Sequence, residues 1–256
     1  MEKITSRQNP LMVHIRKLQS SKSYRREQGE FVCEGPKLLK EALAWGAVLT
    51  AAVWEEGREF PNQEGVRTAV VPTPLFRSLS DTETPQGVLF LCRLPRLSTP
   101  EALVGGRYLV LDGVQDPGNV GTIWRTADAF GVDGLFLLPG CADPFSPKTV
   151  RATMGACFRL PVWESDRENL AASLRGAEIP LWAAALREDT EDIRRVDLRR
   201  AAVVIGSEGR GISEETLALC ENTLKIPMRE RCESLNAAVA ASVVAWEMAR
   251  GDRTPQ

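Results

Sequence analysis

The sequence predicts an α/β protein: a mostly parallel sheet with helices on both faces, preceded by a small amino-terminal α/β domain. Two observations carry this prediction. From Glu30 onward, apolar runs of strand length alternate with stretches of helical spacing, the order that builds parallel sheets covered by helices. The alternation is interrupted at RLPRLSTPEALVGGR, Arg93–Arg107, which is rich in Pro, Gly, Ser and Thr and lies between two apolar runs. The 256 residues are thereby divided into a domain at 1–97, a linker at 98–106 and a second domain at 107–256.

In the first domain the order is EFVCEG, PKLLKEALAWG, LTAAVWEE, RTAVVP, PLFRSL and GVLFLCR, strand-like runs interleaved with helical ones. In the second, the strand RYLVLDGV leads to a helix from about Asn119 to Phe130, then the strand GLFLLPG. Helices around Lys148–Ala156 and Arg167–Arg175 follow, then strands PLWAAAL and AAVVIG, a helix Glu214–Cys220, the strand TLKIPM and a last helix Ser234–Arg250.

Composition excludes several classes. With 43% hydrophobic and 26% charged residues and a formal net charge of -2, the chain is an ordinary globular protein able to bury a core. Its longest apolar runs, such as Leu135–Leu138 and Ala201–Ile205, are far short of a membrane span. The amino terminus has charges scattered among its apolar positions and no small-residue cleavage site, so a cytoplasmic location is expected. The six cysteines form no C-x-x-C pair, which argues for reduced, buried thiols and against a metal site. The one histidine, His14, receives no role. Residues 1–30 hold seven Lys/Arg against three Glu, including Arg7, Arg16, Lys17, Arg25 and Arg26; that excess suits either a polyanion or a solvated helix face.

In such sheets, ligands sit where strands end and loops turn into helices. Three loops stand out: QDPGN after LVLDGV, SEGRGIS after AVVIG, and RERCESLN after LKIPM. In the first, Gly113 and Gly118 have phosphate-loop spacing, but Asn119 and Val120 replace the lysine and hydroxyl. No G-x-G-x-x-G dinucleotide fingerprint is present either. Val120, Ile123, Trp124, Ala127 and Phe130 form one apolar stripe, and Arg125 lies nearly opposite it, at ~100° per residue. By themselves Asn119 reads as a helix cap and Arg125 as a solvated arginine. Glu208, between Gly206 and Gly209, is a carboxylate placed either to cap its turn or to bind a cation. Ser234 is a natural cap for the last helix, whereas Asn236, inside an alanine-rich first turn, sacrifices helix propensity and is expected to reach a ligand or neighbouring loop.

Taken in order, DPGNVGTIWRTADAFG, VVIGSEGRGIS, and IPM followed by SLNAAVA resemble the three sequence blocks of the SpoU/TrmH family of RNA ribose 2'-O-methyltransferases, within the SPOUT superfamily. The match covers about Arg107–Arg250. The amino-terminal module, with SRQNP and the TPQGV turn at Thr84–Val88, is similar to the ribosomal-protein-like RNA-binding domain that many members carry.

This resemblance implies a carboxyl-terminal trefoil-knotted domain, a homodimer with the helix of the first block at its interface, and S-adenosylmethionine as cofactor, released as S-adenosylhomocysteine. It places the cofactor against Gly206, Ile226, Met228 and Leu235. Catalysis falls to Arg125, oriented by Asn119, with Glu208 ordering Arg125 and its loop and Ser234 and Asn236 shaping the pocket. The implied substrate is RNA, ribosomal ahead of transfer RNA, since DNA lacks the 2'-hydroxyl. The loop Arg229–Glu233 departs from many relatives in having no glycine, which bears on cofactor affinity. The rival readings are an RNA-binding protein that kept the fold without catalysis and a nucleotide-dependent doubly wound enzyme.

Overall fold

Asn9 and Pro10 open the first long helix, the asparagine accepting the Leu11 N–H at 2.9 Å and the proline sitting where its missing N–H goes unneeded. The structure is a computed structural model describing residues 2–58, 65–187, 190–229, 231, 232, 234–250 and 252. The chain forms two compact units, Met1–Pro95 with Phe145–Phe158, and Arg96–Pro144 with Arg159–Gln256.

The first unit contains β1 (Glu2–Lys3), α1 (Pro10–Ser20), α2 (Lys22–Gln28), β2 (Glu30–Glu34), α3 (Pro36–Ala44), β3 (Leu49–Glu55), β4 (Arg67–Val71), α4 (Thr73–Arg77) and β5 (Val88–Arg93). Its five-stranded sheet runs β1-β4-β3-β5-β2, with β1, β4 and β3 parallel and β5 antiparallel to both neighbours. Strand alternation sends Val32, Val53, Val71, Leu89 and Leu91 into a core with Leu11, Met12, Ile15 and Leu18 of α1 and Phe76 of α4. His14 is structural: its two ring nitrogens lie 2.9 Å from the Tyr24 hydroxyl and 2.8 Å from Glu30 Oε2, joining α1, α2 and β2.

The second unit contains β6 (Arg107–Asp112), α5 (Pro117–Ala129) and β7 (Gly134–Leu137), then α6 (Pro147–Thr153), which groups with the first unit, and β8 (Val162–Glu164). It continues through α7 (Arg167–Gly176), β9 (Leu181–Ala184), β10 (Glu191–Asp192), β11 (Ala201–Gly206), α8 (Glu214–Leu217), β12 (Asn222–Lys225) and α9 (Ala237–Met248). The seven-stranded sheet has the order β10-β12-β9-β11-β6-β7-β8, and every pairing in it is parallel. Tyr108, Val110, Ala202 and Val204 face Leu170 and Leu174 of α7. Leu109, Leu111, Val203 and Ile205, equally buried, alternate onto the opposite face, where α5 and α9 pack. No helix among the described residues is long and apolar enough to cross a membrane.

The segment Phe145–Phe158 leaves the strand alternation of the second sheet and packs on the first. The Phe145 ring meets Phe31 edge-on at 4.7 Å, and Arg151 pairs with Asp81 at 3.2 Å. The same face of the first sheet buries Cys33 and Cys92, and burial beside Cys92 raises the Cys33 thiol well above its ordinary value. All six cysteines are free thiols.

Candidate functional site

The order of the second sheet reverses direction at β6, which is flanked by β11 on one side and β7 on the other. Chains diverging at such a point leave a crevice at the carboxyl ends of the strands. The three loops singled out in the sequence follow β6, β11 and β12, and all open into that region.

After β6, Asp116 caps α5, its Oδ1 accepting the Asn119 N–H at 2.9 Å. The helix therefore starts at Pro117, and the expected cap, Asn119, lies inside the first turn with its amide free for other partners. Asn119 Nδ2 donates to Glu208 Oε1, and Asn119 Oδ1 accepts from Asn236 Nδ2 at 3.3 Å. One asparagine thus links all three loops.

After β11, Ser207 and Gly211 exchange both backbone hydrogen bonds, at 3.0 and 2.9 Å, closing a tight loop that projects Glu208. Gly211 has φ +69°, and Gly206 lies so close to it that an added Cβ would stand 2.2 Å from the Gly211 carbonyl carbon. Gly206 is glycine because the returning chain occupies the Cβ position.

After β12, the cap of α9 is Asn236, not Ser234: its Oδ1 accepts from Ala238 and Val239 N–H at 2.9 and 3.2 Å. The expectation of a helix from Ser234 is corrected to one from Ala237. Asn236 caps the helix with its oxygen and reaches the neighbouring loop with its nitrogen; it stands before the first turn, not inside it, and at the cap it sacrifices no helix propensity.

Between these loops lies a cavity of about 290 Å³. Its walls include the four residues expected to hold a cofactor, Gly206, Ile226, Met228 and Leu235, together with Glu208 and Ser234. Ile205, Ile212, Leu224 and Ala240 supply apolar surface. Arg125 is exposed on α5 and does not line the cavity, and its guanidinium makes no hydrogen bond to the described residues. Glu230 and Glu233 of the glycine-free loop lie outside the described residues. Three lining positions, Ala184, Ala185 and Leu186, were not expected from the sequence; they are contributed by the end of β9, and Leu186 is 59% exposed at the rim.

In the basic amino-terminal segment, Arg7 and Lys17 are exposed, and Arg16 is half-buried with its guanidinium donating to the Arg7 carbonyl at 3.0 Å. Lys17 lies 5.4 Å over the Tyr24 ring. Arg26 is half-buried. Arg25 is buried, and its guanidinium donates to the carbonyls of Leu18 and of Gln19, the latter at 3.2 Å. Its charge closes the end of α1 and is not presented to solvent. Among the described residues no group of three His, Cys, Asp or Glu side chains is placed to hold a metal.

Residues 106–246 match the SpoU rRNA Methylase family, and residues 9–89 match the MRM3-like substrate binding domain. The chain is 35% identical to an uncharacterized tRNA/rRNA methyltransferase of Synechocystis, over 96% of this chain and 93% of the relative. It is 30% identical to RlmP of Bacillus subtilis, a 23S rRNA (guanosine(2553)-2'-O)-methyltransferase, over 97% and 99% of the two chains. An AdoMet-bound rRNA methyltransferase of Sinorhizobium meliloti superposes with a TM-score of 0.88 at 30% identity, covering 99% of both chains. Its family match, spanning more than half the chain, its relatives over nearly their whole length, and its three converging loops all agree: the chain belongs to the SpoU rRNA methylase family, with an amino-terminal substrate-binding domain.

Proposed function

We propose that this protein methylates a ribose 2'-hydroxyl of ribosomal RNA, using S-adenosylmethionine. The observation that carries the reading is the cavity of about 290 Å³ whose wall includes Glu208, which is joined through Asn119 to Asn236 by hydrogen bonds. Its apolar walls and loop backbone suit a ligand with an adenine to enclose, and the carboxylate of Glu208 suits a cation. When bound, S-adenosylmethionine supplies an activated methyl carbon on a sulfonium leaving group. Gly206, Ile226, Met228 and Leu235 hold it.

What remains for the protein is to place the hydroxyl and favour loss of its proton. We assign this to Arg125. A guanidinium with a pKa above ~12 stays protonated and is no general base. Arg125 instead clamps the phosphate beside the target ribose and stabilises the developing alkoxide, while the proton passes to that phosphate or to water. Asn119 and Glu208 order the loop beside it, Ser234 shapes the wall of the cavity, and Asn236 ties the start of α9 to Asn119.

The reading includes the trefoil knot of the family and a homodimer. In support of the dimer, α5 and α9 pack together and leave Val239 and Trp246 of α9, 49% and 59% exposed, on the surface with Arg125. It places the domains at 1–97 and 107–256 and the activity in the cytoplasm, where free thiols persist. The test is transfer of labelled methyl groups by the purified protein to ribosomal RNA, with transfer RNA and DNA in parallel, and mapping of ribose methylation in a deletion strain. Label on the 2'-oxygen of ribosomal RNA is expected; label on transfer RNA alone, or none, refutes the reading.

A further inference from the structure

Asp112 is the last residue of β6, and its side chain is 5% exposed. One carboxylate oxygen accepts both the N–H and the hydroxyl of Ser213, at 2.8 and 2.7 Å. The other lies 3.8 Å from Nη2 of Arg167, the first residue of α7. That contact is an ion pair; the hydrogen bonds of Arg167 go to Ser213 Oγ at 3.1 Å and to the buried Thr216 Oγ1 at 2.9 Å. Four side chains from β6, α7 and the start of α8 therefore form one polar cluster, none of them lining the cavity.

Its position relative to the loop after β11 is specific. That loop leaves the sheet at Gly206, which is paired in register with Asp112, and ends at Ser213, which Asp112 binds. Both feet of the loop thus stand on one residue. Its tip carries Glu208, and Glu208 meets Asn119, seven positions beyond Asp112 in the same chain segment. A displacement of Ser213 moves Glu208 relative to Asn119 while leaving the strands in place. With Arg167 28% exposed, this partly buried ion pair is a poor source of stability, and the hydrogen bonds of Asp112 and Arg167 to Ser213 fix one geometry of the loop instead.

We infer that Asp112, held by Arg167, is a positioning residue that sets the separation of the two loops through Ser213; this rests on the methyltransferase reading above. A misplacement of about 1 Å at such a site costs on the order of a hundredfold in rate. The test compares full-length wild type with Asp112→Asn, Ser213→Ala and Ser213→Thr, measuring kcat and KM on ribosomal RNA, cofactor binding by calorimetry, and thermal midpoint. Asp112→Asn and Ser213→Ala are expected to lower kcat about tenfold or more per folded molecule, with KM for RNA within about threefold. Ser213→Thr keeps both hydrogen bonds and is expected to restore kcat to within about twofold of wild type. Should Asp112→Asn fail to fold, the Ser213 pair decides. An active wild type with an equally active Ser213→Ala overturns the role of Asp112 alone; a wild type that transfers no methyl group overturns the underlying reading.

Discussion

Replacing Gly206 by alanine tests the closure of the second loop directly. The added Cβ would lie 2.2 Å from the Gly211 carbonyl carbon, 2.4 Å from its oxygen and 2.4 Å from the Ile212 nitrogen. All three are backbone atoms, so no side-chain rotation relieves the overlap, and the chain at Gly211–Ile212 must retreat by at least about 1.2 Å to reach ordinary contact. The Ser207–Gly211 pair, now at 2.9 and 3.0 Å, then exceeds hydrogen-bond range. Two such bonds are worth about 0.5–1.5 kcal/mol each, and overpacking adds about 1–3 kcal/mol, so about 2–6 kcal/mol is expected. That corresponds to a fall in thermal midpoint of about 4–24 °C for a chain of this size. The retreat also moves Glu208, Gly211 and Ile212 in the cavity wall, and S-adenosylmethionine should bind at least about tenfold more weakly by calorimetry. Gly209 in the same loop has nothing within 4 Å of its Cβ position, so Gly209→Ala should change stability by less than about 0.5 kcal/mol and leave cofactor affinity intact. Equal effects of the two substitutions, or no effect of Gly206→Ala, would refute the packing argument.

Other substitutions separate roles that one residue combines. Asn236→Asp keeps the cap of α9 but loses the amide that reaches Asn119, so methyl transfer should fall with little change in thermal midpoint, whereas Asn236→Ala should also cost about 1 kcal/mol of stability. Arg125→Lys should lose most turnover in the methylation assay while calorimetry shows unchanged cofactor affinity; near-normal methylation excludes the phosphate clamp. Arg25→Ala, which removes buried charge-assisted bonds to two carbonyls, should destabilise the protein by about 2–3 kcal/mol in urea titrations. Exposed Arg7→Ala should instead weaken RNA binding and reduce the salt slope by about one. Burial pushes the thiols of Cys141 and Cys220 up to about 11 and about 12, so at pH 8 both stay protonated. Mass spectrometry after alkylation at that pH should find the exposed Cys232 modified first. Above the ordinary thiol range the unfolded chain sheds these protons while the folded chain keeps them, so their contribution to stability falls as pH rises toward 11.

Much of the fold was legible because its signals are local. Apolar runs such as LVL and AVVI can be buried only on both faces, and helices between them dictate parallel pairing, as β6, β7, β9 and β11 show. The loops after β6, β11 and β12 were legible as sites for the same reason: Gly, Pro and Asn at the ends of buried strands mark tight turns where backbone and polar side chains are presented together. Capping was less so. Asp116 and Asn236 were each displaced from the expected position by two or three residues, because several adjacent Asp, Asn and Ser side chains compete for one set of free N–H groups.

The sequence by itself determined the alternation of strands and helices, the three loops and the residue types available for chemistry in each. Only the tertiary structure decided that β9 forms a cavity wall, that Phe145–Phe158 packs on the other sheet, that Arg25 points inward, and that Asp112 holds Ser213 across 101 residues of chain. Periodicity reports that a face is buried but not against what. Which strands lie side by side, and which buried charges find partners, is settled by pairings between distant segments that leave no local trace.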